Sequence, residues 1–186
     1  MTLKFAYVAV CFAIAAASYF FCRNKKDWLW LTLGLLFTVA ADYFLVIHNR
    51  HLPGVAVFSF AHVCYILRVL PPKVKKLALF IIPFLAGAIF LAFINEALLV
   101  LAGIYAGLFA LNIAINIKFC KINKPLVLTG LVLFMLCDIN VMLFNMPREL
   151  GVSIYFPWAF TLIWVFYLPS QLLLAVSATA FPKAKE

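Results

Sequence analysis

Apolar residues run along this chain in long blocks, and short polar clusters separate them. The first block, 3–22, ends at Arg23-Asn24-Lys25-Lys26-Asp27. The second, 28–48, ends at Asn49-Arg50-His51. Pro53-Gly54 opens a third over 55–70, closed by Pro71-Pro72-Lys73-Val74-Lys75-Lys76. The 41 residues from Leu77 to Ile117 are broken once, at Asn95-Glu96, and divide into 77–94 and 97–117. A sixth block follows over 125–144. The last, Gly151 to Phe181, is too short for two crossings, so it reads as one tilted or kinked helix over 155–180, with Pro157 near its start and Pro169 inside. Blocks of about 20 apolar residues are what a transmembrane helix needs. The pattern predicts an all-α, polytopic membrane protein. It is one domain over 1–186, a bundle of seven transmembrane helices, with no internal repeat.

Composition narrows the class. Of 186 residues, 68% are hydrophobic and 11% charged, with a mean hydropathy of +1.13. A soluble domain is nearer half apolar and a quarter charged, so soluble, disordered and disulfide-stapled classes are excluded. Seven helices leave no room for a soluble domain, so any chemistry takes place in or at the edge of the bilayer. The net charge of +9 would suggest nucleic acid in a soluble protein. Here the basic residues lie in short loops and speak for topology and anionic lipid, with no nucleic-acid partner. Threading the chain alternately across a membrane puts 12 of its 15 basic residues on one side, Arg68 among them. Lys4, Arg50 and Arg148 fall on the other. By the positive-inside rule this sets the N-terminus outside and the C-terminus in the cytosol. The first block runs into Arg23-Lys25-Lys26, which stops transfer, so it reads as a retained helix rather than a cleaved signal peptide. The five cysteines form no C-x-x-C pair and read as free thiols.

Ionisable groups at bilayer depth cost about 2.5 kcal/mol or more each and are functional candidates by default. Three lie in mid-block: Asp42, His62 and Asp138. Counting along each block at about 1.5 Å per residue puts all three roughly 20 Å from the cytosolic end. Helical spacing adds neighbours. Gly34, Thr38 and Asp42 share a face, as do Phe58, His62 and Tyr65, with Ser59 beside them. Thr129 or Gly130 lines up with Phe134 and Asp138. Trp164, Tyr167, Gln171 and Leu174 form a stripe, and Asn112 pairs with Asn116. Together these residues outline one polar cavity. The plainer readings stand beside it. A membrane carboxylate can serve as interhelical glue. His62 reads first as a partner that orients an aspartate. His48 and His51 read as solvated at the outer interface, Glu96 as a wet turn residue, and Arg68 as snorkelling to headgroups.

Two carboxyls suit acid–base work: one neutral and proton-donating, the other ionised to activate water or stabilise a cation. Glycoside hydrolysis divides labour this way around an oxocarbenium-like transition state, and acid-labile ethers fit the same machinery. A zinc site would have to use His62, Asp42 and Asp138 and is less favoured. A serine nucleophile has no G-x-S-x-G context. The pattern therefore calls for no metal and no cofactor.

Four short elements resemble the YhhN family, bacterial relatives of the eukaryotic transmembrane lysoplasmalogenases. Ala41-Asp42 corresponds to a Gly-Asp pair in an early helix, and His62-Val63-Cys64-Tyr65 to a His-x-x-Tyr element. Phe134-Met135-Leu136-Cys137-Asp138 is similar to Phe-x-x-Ser-Asp, and Tyr167-Leu168-Pro169-Ser170-Gln171-Leu172-Leu173 to Tyr-x-x-x-Gln-x-Leu. Ala41 and Cys137 depart from the pattern, though both are small and both aspartates remain. The resemblance covers most of the chain from Leu33 onward. It implies hydrolysis of the vinyl ether bond of lysoplasmalogens to a fatty aldehyde and a glycerophospho-head group, at a multi-pass site in the bacterial cytoplasmic membrane. Asp42 and Asp138 would be catalytic, His62 and Tyr65 supporting. Thr38, Ser59, Asn112, Tyr167 and Gln171 would face the lysophospholipid substrate. The competing reading is a transporter or channel that uses the same aspartates as proton or cation sites. A retinal photoreceptor is excluded, because Gly151 to Phe181 holds no lysine for a Schiff base. The sequence leaves the oligomeric state open.

Overall fold

The computed structural model describes residues 2–22, 24–151 and 156–179, with the side chains of 2, 77–81, 84, 146 and 148–150 left aside. Arg23, Lys183 and Lys185, part of the charge split above, lie outside the described residues. Seven α-helices follow in order: α1 (Thr2–Ala17), α2 (Lys25–Asp42), α3 (His51–Val69), α4 (Pro72–Ile94), α5 (Leu98–Phe119), α6 (Lys124–Leu150) and α7 (Pro157–Val176). A 3₁₀ turn, Ser18–Phe20, extends α1, and a π turn, Tyr43–Ile47, extends α2 beyond Asp42.

The helix ends follow local chemistry. Asn24 caps α2, its side chain accepting from the Lys26 and Asp27 amides, so the helix starts three residues before Trp28. Helix α3 begins at His51 because Pro53 fits in a first turn, where its missing N–H costs nothing. Pro72 and Pro157 occupy first-turn positions in the same way. Helix α6 runs past Phe144 to Leu150 and stops at Gly151, whose φ of 65° closes the C-terminus in the left-handed region. Pro169 sits inside one continuous α7.

Among the described residues, six helical stretches are long and apolar enough to cross a membrane: 3–20, 25–47, 51–69, 98–119, 124–145 and 157–176. Helix α4 has 23 residues, and its described apolar stretch is the ten residues Leu85–Ile94. Large apolar side chains point outward all along the bundle, among them Leu36, Phe90, Leu99, Val132 and Val165. This is the surface of a multi-pass membrane protein.

Helix α3 is the most enclosed element, every residue from Ala61 to Arg68 being buried. It packs against α2 and α5, while α6 and α7 form the other close pair and α4 lies at the periphery. Lipid tails give helices no hydrophobic reason to associate, so close backbone approach and interhelical polar contacts hold such bundles. Gly34 is where α2 meets α3. A Cβ there would lie 2.3 Å from Cε1 of Tyr65, so only glycine admits the ring. Gly130 of α6 is less confined, a Cβ there lying 3.1 Å from Leu174 Cγ and 3.3 Å from the Ser170 carbonyl of α7.

At the expected cytosolic end the polar contacts correct the expectation for Arg68. Its guanidinium does not reach outward. It is buried, donating from Nε and Nη2 to the two Asp27 carboxylate oxygens at 2.8 and 2.9 Å and from Nη1 to Ser177 Oγ at 2.8 Å. Three helix ends, those of α2, α3 and α7, close on this one charge. Asn123, at the start of α6, joins by donating to the Ser177 and Thr179 carbonyls, both at 2.9 Å. Cys120 beside this cluster is buried, and burial pushes its thiol up from the ordinary range. All five cysteines are free.

Removing one partner of a buried ion pair strands the other charge, at a cost of about 3–5 kcal/mol, whereas replacing both by apolar residues is near neutral. Arg68→Met is therefore expected to lower unfolding stability in detergent by about that amount, and Asp27→Leu/Arg68→Met to recover most of the loss. A single variant as stable as the parent would show that no buried pair closes this end of the bundle.

Candidate functional site

The site lies where α2, α3, α5, α6 and α7 converge. Asp42 is the last α-helical residue of α2 and is buried. The chain leaves α geometry directly after it, a local irregularity of a kind often found at functional positions. Tyr167 of α7 donates its hydroxyl to Asp42 Oδ2 at 2.7 Å. Across the bundle, Tyr105 of α5 donates to Asp138 Oδ2 of α6 at 2.5 Å. Each carboxyl is held through one oxygen by a tyrosine from another helix.

A cluster of aromatic rings connects the two tyrosines. The fully buried His62 ring stacks on Phe109 at 4.3 Å between centroids, with Tyr105 at 5.0 Å and Phe134 at 5.6 Å. Phe134 also meets Tyr167, at 5.6 Å. The tyrosine that holds Asp138 and the tyrosine that holds Asp42 therefore both border the rings around His62. His62 lies within this ring cluster, and Asp42 and Asp138 meet it through Tyr167 and Tyr105. Ala41 and Cys137, the residues before the two aspartates, are both buried in the same core.

The expected role of His62 needs correcting. No aspartate bonds to it. Its Nδ1 is 3.1 Å from Asn112 Nδ2, and Asn112 in turn accepts from Asn116. Ordering of the aspartates falls to tyrosines instead, because a phenol reaches a carboxyl from a neighbouring helix and keeps its ring in apolar surroundings.

The other candidates divide. Tyr65 is buried beside His62, and its hydroxyl lies 3.4 Å from Thr38 Oγ1 rather than against a carboxyl. Thr38 turns its hydroxyl back to the Gly34 carbonyl at 3.0 Å, and Ser59 does the same to Val55 at 3.0 Å. Both hydroxyls are thus already committed to their own helices. Gln171 is fully buried, with Nε2 3.4 Å from Ser170 Oγ and no partner for Oε1 among the described residues. Trp164 lies at the outer part of the same stripe, under the ammonium of Lys4 at 3.8 Å. No three His, Cys, Asp or Glu side chains converge among the described residues, so His62, Asp42 and Asp138 do not form a ligand set.

Sequence reasoning missed Tyr105. The signal was present, since Tyr105, Phe109, Asn112 and Asn116 follow one another at spacings of four, three and four along one face of α5. A tyrosine, neutral at ordinary pH, does not stand out where ionisable groups and amides are the markers.

In chemical terms, the buried Asp42 and the partly buried Asp138 each keep one carboxyl oxygen free of the tyrosine that anchors them.

A hydrogen bond to a buried carboxyl is worth about 1.5–3 kcal/mol. Tyr167→Phe and Tyr105→Phe should each lower stability in detergent by about that much, while Tyr43→Phe, at an exposed ring, should leave the melt unchanged. Unaltered melting in both Tyr167→Phe and Tyr105→Phe would show that tyrosines do not hold the carboxyls.

The sequence model of the YhhN family matches residues 2–178, nearly the whole chain, and the chain belongs to that family. No curated protein and no solved structure matches it.

Proposed function

We propose that this member of the YhhN family hydrolyses the vinyl ether bond of lysoplasmalogens, releasing a fatty aldehyde and a glycerophospho-head group. The observation that carries the reading is the pair of tyrosine-held carboxyls, Asp42 with Tyr167 and Asp138 with Tyr105, whose tyrosines both border one aromatic cluster. Family membership supports the choice of substrate. In this reading the bundle crosses the bacterial cytoplasmic membrane seven times, with α4 as the seventh crossing and the N-terminus outside. The whole chain acts as one domain.

The chemistry follows from what a vinyl ether requires. A carboxylic acid protonates the alkenyl carbon distal to oxygen. The double-bond pair forms the new C–H bond, and the ether oxygen shares a lone pair to give an oxocarbenium ion. The other carboxyl, ionised, stabilises that cation and takes a proton from the water that attacks it. The product is a hemiacetal. Its hydroxyl then loses a proton to a carboxylate, the bond to the glycerol oxygen breaks, and that oxygen receives a proton from the carboxylic acid. Protons lost and gained balance, and the carboxyls return to their starting states. Water is the only co-reactant consumed. Tyr105 and Tyr167 fix which oxygen of each carboxyl faces the substrate. The first step needs one carboxyl in its neutral, proton-donating form and the other ionised, the division of labour two carboxyls in different surroundings can supply.

Purified protein in detergent, supplied with an alkenyl-lysophosphoethanolamine, is expected to release aldehyde. Asp42→Asn and Asp138→Asn should each lower turnover about 10²–10⁴-fold, the range of a positioned acid or base, while both variants stay folded. A chelator should have no effect. Retained turnover in both variants would end this mechanism. A folded wild type that releases no aldehyde at any pH would end the substrate assignment and return the aspartates to the transport reading.

A further inference from the structure

His62 is fully buried, yet the reaction above gives it no task. Its surroundings define its protonation by hydrogen-bond logic alone. The starting point is a backbone carbonyl, which can only accept. The Asn116 side-chain atom 2.9 Å from the Asn112 carbonyl must therefore be the amide nitrogen, Nδ2. That same nitrogen lies 2.7 Å from a side-chain atom of Asn112, which must accept and is therefore Oδ1. The other end of the Asn112 amide is then the NH₂, and it sits 3.1 Å from His62 Nδ1. Nδ1 has to accept, so the ring proton is on Nε2. A doubly protonated ring would set an N–H against the Asn112 NH₂, so the ring is neutral. The stack on Phe109 and the flanking rings of Tyr105 and Phe134 fix its plane. No protein group among the described residues accepts from Nε2. A buried N–H donor with a fixed direction and no protein acceptor suits an oxygen of a ligand.

We infer that Asn116 and Asn112 lock His62 as the neutral Nε2–H tautomer, and that this N–H donates to the glycerol oxygen of the substrate as its bond to the hemiacetal carbon breaks. In that step the oxygen takes the bonding electron pair, so a donor aimed at it stabilises charge that grows in the transition state. The carboxylic acid supplies the proton that is transferred, and His62 keeps its own. Asn112 and Asn116 are positioning residues, because they act only through the ring. The assignment of the oxygen rests on the vinyl ether reading. The tautomer does not.

The two parts can be tested separately. Protein labelled with ¹⁵N-histidine in detergent should show for His62, identified by the resonances lost in His62→Gln, a protonated Nε2 and an unprotonated Nδ1. Asn112→Asp supplies an acceptor to Nδ1 and should invert the pattern. Asn116→Asp should do the same at one remove, by turning the Asn112 amide around. In turnover, His62→Phe should lower kcat about 10²–10³-fold, the cost of one transition-state donor, with KM little changed. His62→Gln, which keeps an N–H near the position of Nε2, should stay within about tenfold of wild type. Asn112→Asp should lose as much as His62→Phe although the ring remains. A protonated Nδ1 in the wild type, or an unchanged pattern in both aspartate variants, would overturn the tautomer lock. A His62→Phe protein as fast as wild type would overturn the donor role. The expected tautomer in a wild type that releases no aldehyde would uphold the lock and overturn the oxygen assignment together with the vinyl ether reading.

Discussion

A carboxyl inside an apolar bundle must find its hydrogen bonds within the protein, because neither lipid nor a dry core offers any. That constraint organises this molecule. Asp42 and Asp138 are met by Tyr167 and Tyr105, which come from different helices, so each carboxyl ties two helices together. The rings around them cannot be moved without breaking those ties. The same rule acts at the expected cytosolic end, where Arg68 is buried only because Asp27 and Ser177 take up its donors. The polar contacts at the two levels join α2, α3, α5, α6 and α7. The hydrophobic effect cannot do this in lipid, so the polar contacts carry specificity as well as chemistry.

Packing supports the arrangement at points where a single atom matters. Gly34 lets the Tyr65 ring lie against α2, which keeps the ring beside His62. Gly130 brings α6 close to α7, a turn away from Phe134 and two turns from Asp138. The acidic groups thus stand on helices held at short distance by small residues, and the site inherits the rigidity of the bundle.

Much of this was legible in the sequence because a membrane simplifies the problem. Block length alone gives the helices, and an aspartate in mid-block stands out against 68% hydrophobic residues. Counting 1.5 Å per residue assigned Asp42, His62 and Asp138 one expected depth. What escaped was pairing across helices. Nothing in a one-dimensional pattern says that Arg68 turns inward to Asp27, 41 positions away, or that His62 faces an asparagine instead of a carboxylate. Tyr105 was hidden for a related reason, since one tyrosine among many aromatics in an apolar block reads as packing until a carboxyl is found beside it. Helix ends moved by up to six residues where a cap or a glycine, as at Asn24 and Gly151, outweighed hydropathy.

Everything proposed for the site turns on a carboxylic acid in this core protonating carbon. The most direct measurement is aldehyde release by the wild-type protein in D₂O, with the product trapped at once and weighed by mass spectrometry. Protonation of the alkenyl carbon predicts a single solvent deuteron on the carbon next to the aldehyde. Aldehyde without that deuteron would contradict carbon protonation, and with it the catalytic role of the two tyrosine-held aspartates.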